Sequence, residues 1–300
     1  MRKDIEFRTE DGVMLRGWLY QPDRPAGAVP IIVMAHGFSG TKEMYLDKFA
    51  EVFCAAGLAV LVYDHRNFGA SEGQPRHHID PWQQVSGYRD AITFAGSIPG
   101  VDKGRIGIWG SSYSGGHVQV VAAIDRRVKC VVSQVPLISG LANARRLIRA
   151  DHIQAVRDSF DADREARYAG KPPAMIPVAA EKPGDPCALP TEDTRQFFLE
   201  TCKTLAPNWR NEITLQSIEL FMNYEPGIYI PDISPTPFLL VVALGDHLTP
   251  ADITCAAFEK ALEPKKLLTL RCGHFEAYVG KQFEISSKVQ RDWFVEHLMS

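Results

Sequence analysis

The chain has 300 residues, 45% of them hydrophobic and 23% charged, with a formal net charge of −3. That make-up is ordinary for a globular core, and the length suits one large α/β domain carrying an insertion. No run of five basic residues occurs, which excludes the electrostatic footprint of a nucleic-acid or anionic-membrane binder; the expected partner is a small molecule or an acyl carrier.

Ile5–Thr9 and Val13–Tyr20 flank Glu10-Asp11-Gly12 and predict an antiparallel hairpin, because Asp-Gly supplies the positive φ of a tight turn. The apolar run Pro30–Ala35 predicts a strand ending in the loop His36-Gly37-Phe38-Ser39-Gly40. From Lys42 to Ala56, residues Met44, Tyr45, Phe49, Val52 and Phe53 mark one helical face that stops at Gly57. A strand over Leu58–Tyr63, a helix over Pro81–Ala95, a strand from Ile106 into a Gly/Ser cluster, a helix over Ser114–Ile124 and a strand over Val128–Val135 follow. This alternation predicts an α/β fold with a doubly wound, mostly parallel sheet. It breaks over 137–232, where charge and the Pro-rich stretches Lys171–Pro177 and Lys182–Pro186 predict a helical cap inserted into a core made of 1–136 and 233–300. Phe197, Phe198, Trp209, Phe221, Met222 and Tyr224 are its candidate pocket residues, although aromatics of this kind also pack a cap onto itself. Phe238–Leu244 and Lys266–Arg271 predict the last two strands.

The six cysteines, Cys54, Cys130, Cys187, Cys202, Cys255 and Cys272, form no C-x-x-C pair. Neither a zinc centre nor a dense disulfide framework is expected, and reduced thiols fit best. Met1 to Phe7 hold no apolar core of secretory-signal length, and no stretch approaches the roughly 18 apolar residues of a membrane span. A soluble cytoplasmic protein is the expectation, with a homodimer allowed.

The chemistry is concentrated in three loops. In Gly110-Ser111-Ser112-Tyr113-Ser114 a strand meets a helix through a small residue two places before Ser112. This is the pattern of a nucleophile elbow, in which strained backbone lifts one hydroxyl above the sheet edge. The usual G-x-S-x-G reads G-x-S-x-S, with Ser114 in the second small position. A serine hydroxyl needs a general base, and imidazole titrates near working pH; His274, just past the last predicted strand, takes that role. Asp246, just past the strand before it, would hold the imidazole in one tautomer and stabilise its protonated form. The backbone N–H groups of Tyr113 and Phe38 are the expected oxyanion donors. Both residues also count as candidate substrate contacts, the Tyr113 hydroxyl being an alternative way to face the pocket.

Other residues compete for these roles. His247 adjoins Asp246, but sequence neighbours point apart. Ser114 as nucleophile would put Ser112 where glycine belongs. His77-His78 with Asp80 has no third ligand at metal spacing and reads as a solvated loop. His36 reads as a brace for the oxyanion loop, and Asp64 with Arg66 as a buried pair holding the loop after the fourth strand. The elbow lacks a Gly-Lys-Ser/Thr ending, so a phosphate loop is poorly supported.

His36-Gly37-Phe38, Tyr63-Asp-His-Arg-Asn-Phe-Gly69, Gly110-Ser-Ser-Tyr113, Gly245-Asp246 and Gly273-His274 span the chain, and through them it resembles the α/β-hydrolases. It is similar to the dienelactone-hydrolase-like and Xaa-Pro-peptidase-like branches. Through Val128–Pro136 and His274-Phe-Glu-Ala-Tyr278 it resembles especially the fungal polyketide transferase and thiohydrolase family and its bacterial relatives. The resemblance implies an α/β-hydrolase fold, Ser112, Asp246 and His274 as a triad, and Phe38 with Tyr113 as oxyanion donors. In peptidase-like relatives a tyrosine on the early loop assists the oxyanion; Phe38 stands at the comparable place, and since a phenyl ring cannot donate, backbone N–H groups must serve. The expected activity is hydrolysis of a carboxylic ester or thioester through an acyl-enzyme, with no metal or organic cofactor. The alternatives are transfer of a polyketide-like acyl group to an alcohol or amine, peptidase or amidase chemistry, and a non-catalytic binding protein on the same scaffold.

Overall fold

The structure, a computed structural model, describes residues 1–23 and 27–300. Its first strands, β1 (Arg2–Arg8) and β2 (Met14–Tyr20), form the expected hairpin. Then come β3 (Val29–Ala35), α1 (Leu46–Ala55), β4 (Ala59–Tyr63), α2 (Pro81–Ser97), β5 (Val101–Ser111), α3 (Tyr113–Ile124) and β6 (Val128–Gln134). After a long excursion the core resumes with β9 (Phe238–Ala243), α9 (Ala251–Phe258), β10 (Lys265–Leu270) and α10 (Gly280–Leu298). The excursion holds α4 (Gly140–Leu147), α5 (Ile153–Tyr168), β7 (Met175–Ile176), α6 (Glu192–Arg195), a π-helical turn (Gln196–Thr201), α7 (Cys202–Leu205), β8 (Ile213–Thr214) and α8 (Leu215–Met222), ending in a 3-10 helix over Pro226–Ile233.

Among the described residues eight strands make one sheet in the order β1-β2-β4-β3-β5-β6-β9-β10. β2 runs antiparallel to β1 and β4, and every pairing from β4 to β10 is parallel. Residues Ile31–Ala35 of β3 and all of β4 and β9 are buried and almost wholly apolar, as strands covered on both faces must be. Phe49 and Phe53 of α1 pack with Phe294 and Leu298 of α10 on one face, while Tyr88 and Ile92 of α2 and Val118 and Val121 of α3 pack on the other. After β3 the chain steps outward to β4, then crosses back to place β5 on the other side of β3. A crevice opens where the strand order reverses, at the carboxyl ends of β3 and β5. The loops after these strands, at His36 and Ser112, therefore lie side by side.

Several elements differ from the expectations. The helix expected from Lys42 begins only at Leu46, because the Lys42 backbone N–H and ammonium are both engaged by Asp64, at 2.8 and 2.6 Å. The segment 137–232 is not purely helical, since Met175–Ile176 pairs antiparallel with Ile213–Thr214. The prolines of Lys171–Pro177 cannot continue a helix and leave extended chain free to pair. No element was expected beyond His274, yet α10 runs for 19 residues. Its inner face carries Ser286, Ser287 and Gln290 as well as Trp293 and Phe294, which blurs the apolar period that would announce it.

Candidate active site

Ser112 joins β5 to α3 with φ 58° and ψ −119°, a strained conformation that persists only where surroundings enforce it. A Cβ at Gly110 would overlap the Ser114 carbonyl, and one at Gly37 would stand 2.8 Å from the Ser112 Cβ. Those two glycines let the turn close and let the early loop pass beside the serine. Ser114, where the usual pattern has glycine, is fully buried and its hydroxyl donates to the His36 carbonyl. The same oxygen accepts from His65 Nε2 at 2.8 Å. The departure from glycine thus ties the elbow to the loop after β3.

The three side chains from distant loops meet. His274 Nε2 lies 3.0 Å from Ser112 Oγ, and His274 Nδ1 lies 2.6 Å from Asp246 Oδ2. With Nδ1–H donating to the carboxylate, Nε2 is left to accept the serine proton. Asp246 is held in turn: its Oδ1 accepts from the N–H groups of Leu248 and Thr249 at 2.7 and 2.8 Å, and the Thr249 hydroxyl sits 2.8 Å from Oδ2. Burial pushes this carboxyl up, but His274 and the Thr249 donors outweigh it and hold Asp246 below the ordinary carboxylate range. The Thr249 hydroxyl also lies 2.9 Å from the carbonyl of Val135, a β-branched residue at φ 39°.

Tyr113 is the first residue of α3, so its N–H is one of the unpaired donors at a helix start. Among the described residues neither this N–H nor that of Phe38 donates to a protein acceptor. The cavity beside Ser112 and His274 is walled by Phe38, Met44, Leu189, Phe197, Phe198, Leu248, Phe275 and Tyr278.

Of the residues expected at a substrate pocket, Phe38 and Phe197 line this cavity, and Phe198 does so as well. Phe221 and Met222 line an adjoining one. Trp209 does not reach either: its indole donates to the Ser39 carbonyl at 2.8 Å and its ring stacks on Phe198. Tyr224 lies behind the site with its hydroxyl on His117 Nδ1 at 3.0 Å. The Tyr113 ring packs among Phe38, Phe221 and His117, so only its backbone can face a substrate. Sequence reasoning missed Met44, Leu189 and Leu248, which carry no local signal; Phe275 and Tyr278 were visible only as neighbours of His274.

Other expectations need correction. Asp64 pairs with Lys42 rather than Arg66, whose guanidinium reaches Asp11 at 2.6 Å. His78 is buried and His77 half-buried: they hydrogen-bond Thr214 and Glu212, at 2.8 and 2.9 Å, and fasten their loop to the segment Glu212–Thr214. His247 is exposed. His36 is buried, with Nδ1–H donating to the Gly37 carbonyl and Nε2 accepting from the His65 N–H, which braces the early loop.

Among the described residues no group of His, Cys, Asp and Glu side chains is arranged to hold a metal ion, and no helix is long and apolar enough to cross a membrane.

The profile of the X-Pro dipeptidyl-peptidase (S15) family matches residues 11–276. A thiohydrolase of Eupenicillium brefeldianum is 34% identical over 96% of this chain and 92% of its own length. The quorum-quenching protein AidA of Acinetobacter baumannii is 34% identical over the same shares, 96% and 92%. The polyketide transferase GrgF of a Penicillium species is 32% identical over 99% of this chain and 97% of its own. The crystal structure of GrgF, described as an α/β-hydrolase, superposes with a TM-score of 0.85 at 30% identity over the full length of both chains. A mostly parallel sheet with this strand order, matched end to end by such relatives, makes the chain an enzyme of hydrolase type that belongs to the α/β-hydrolase fold and to the X-Pro dipeptidyl-peptidase (S15) family, alongside the fungal thiohydrolases and polyketide transferases.

Proposed function

We propose that this protein is a serine acyl hydrolase that cleaves a carboxylic ester or thioester. The reading is carried by one observation, the unbroken relay from Ser112 Oγ through His274 to Asp246 at 3.0 and 2.6 Å. Ser112 attacks the carbonyl carbon as His274 Nε2 takes its proton, and the oxyanion that forms is held by the N–H groups of Phe38 and Tyr113. His274 then protonates the departing oxygen or sulfur, leaving an acyl-enzyme. A water that gives its proton to His274 attacks the acyl carbon, and His274 returns that proton to Ser112 Oγ as the acyl–oxygen bond breaks and the acid leaves. Asp246 stays ionised throughout and pairs with the imidazolium. The segment 137–232 serves as a cap that walls the acyl pocket and limits water.

A fluorophosphonate probe tests this directly. A covalent adduct on Ser112, absent in folded Ser112→Ala, is the expected result; full ester turnover by that variant would overturn it.

A second reading shares the acyl-enzyme but gives it to an alcohol or amine, and the 32% identity to a polyketide transferase favours it. Product analysis with and without an added acceptor separates the two, free acid in both cases supporting hydrolysis.

A further inference from the structure

The space at Ser112 has two continuations of different chemistry. Past Phe38 and Leu189, which line both, the cavity at the serine adjoins a second and narrow one. Every residue lining that second cavity is apolar, with Leu147, Ile148, Ile218, Phe221 and Met222 among them. On the His274 side, Phe197 and Phe275 stack at 4.2 Å between ring centres, and beyond them lies a wider space edged by Asp193, Gln196, Thr201 and Glu276.

The reaction assigns a direction to each. In the tetrahedral intermediate the oxyanion faces the N–H groups of Phe38 and Tyr113, and the leaving atom must lie within reach of His274 Nε2, which protonates it. The leaving group therefore departs on the His274 side, past Phe275 toward the polar space. The remaining substituent, the acyl chain, takes the way past Phe38 and Leu189.

We infer that the preferred substrates carry a long, unbranched, uncharged acyl chain whose far methylenes occupy the cavity behind Leu189, with Leu189 and Ile218 setting the accepted length. The inference rests on the acyl-hydrolase reading above. A narrow slot suits a single polymethylene chain. A carboxylate at the far end would be buried there with no polar partner, which disfavours it strongly.

The test is kcat/KM for p-nitrophenyl esters from acetate to dodecanoate, with an ω-carboxylated ester beside the neutral one of equal length. Activity should rise about fourfold for each methylene buried and then level off, and the ω-carboxylated ester should be the poorer substrate. Ile218→Trp fills the second cavity, which Ile218 lines without touching the first, and should cut the decanoate-to-acetate ratio by at least about tenfold. Leu189→Ala widens the passage between the two spaces and should move the optimum to longer chains. Acetate preferred over all longer esters by the wild type, or ratios unmoved in both folded variants, would overturn the inference. Fluorophosphonate labelling of the same preparations keeps the two readings apart. No adduct and no turnover of any ester removes the hydrolase reading itself, whereas normal labelling without chain-length preference removes only the acyl slot.

Discussion

Four of the buried histidines divide into two neighbouring regions that use the same side chain in opposite ways. His274 meets a hydroxyl on one nitrogen and the buried carboxylate of Asp246 on the other. His36, His65 and His117 form an edge-to-face stack beneath the loops after β3 and β4, and their hydrogen-bond partners are neutral. His65 meets Ser114, and His117 donates to Gln84 and accepts from Tyr224. Burial holds all three below the usual histidine range, with His117 down at about 3 and His65 pushed further by its histidine neighbours. Burial by itself makes an imidazole a neutral strut; a buried carboxylate at its back lets it take a proton without stranding a charge. The strut region then fixes the backbone from which the proposed oxyanion donors project.

This contrast breaks first at the groups proposed to react. Ser112→Ala or His274→Ala should lower ester turnover by on the order of 10⁵–10⁶, with the fold retained by circular dichroism. Asp246→Asn would give His274 the neutral surroundings of its neighbours, and kcat should fall about 10⁴-fold; a loss under tenfold would show that the carboxylate is dispensable. His117→Phe acts on the other region. It strands the buried polar groups of Gln84 and Tyr224, so urea denaturation should show about 1–3 kcal/mol of lost stability while kcat changes less than about tenfold.

The most gradual effect is in pH. Below about pH 6.5 an unfolded chain binds a proton at His117 that the native fold refuses until about pH 3. The unfolded state therefore holds more protons across that window, and stability falls as pH falls. The slope from this residue is about 1.4 kcal/mol per pH unit at most. His117→Phe should flatten the urea midpoint between pH 6.5 and 4, and an unchanged slope would show that His117 is charged in the native fold.

What could be read from sequence alone was whatever a short stretch of backbone dictates. Gly110 and Ser112 were legible because a strand-to-helix turn of that tightness tolerates few residues. Asp246 and His274 were legible because each follows an apolar strand in the order that the fold family keeps. The hairpin and the central strands showed in apolar runs bounded by Asp-Gly and His-Gly loops. Tertiary structure alone decided which side chains share a cavity. Leu189 and Met44 reach the Ser112 cavity while Trp209 and Tyr224 turn away, and nothing adjacent to these residues in the chain distinguishes them. It also turned Ser114 from a departure into a link between His65 and His36, and it gave Asp64 to Lys42 instead of Arg66. Local patterns record constraints between residues a few positions apart; the partners of a buried side chain are settled by how distant segments pack, and that packing satisfies energies no single segment contains.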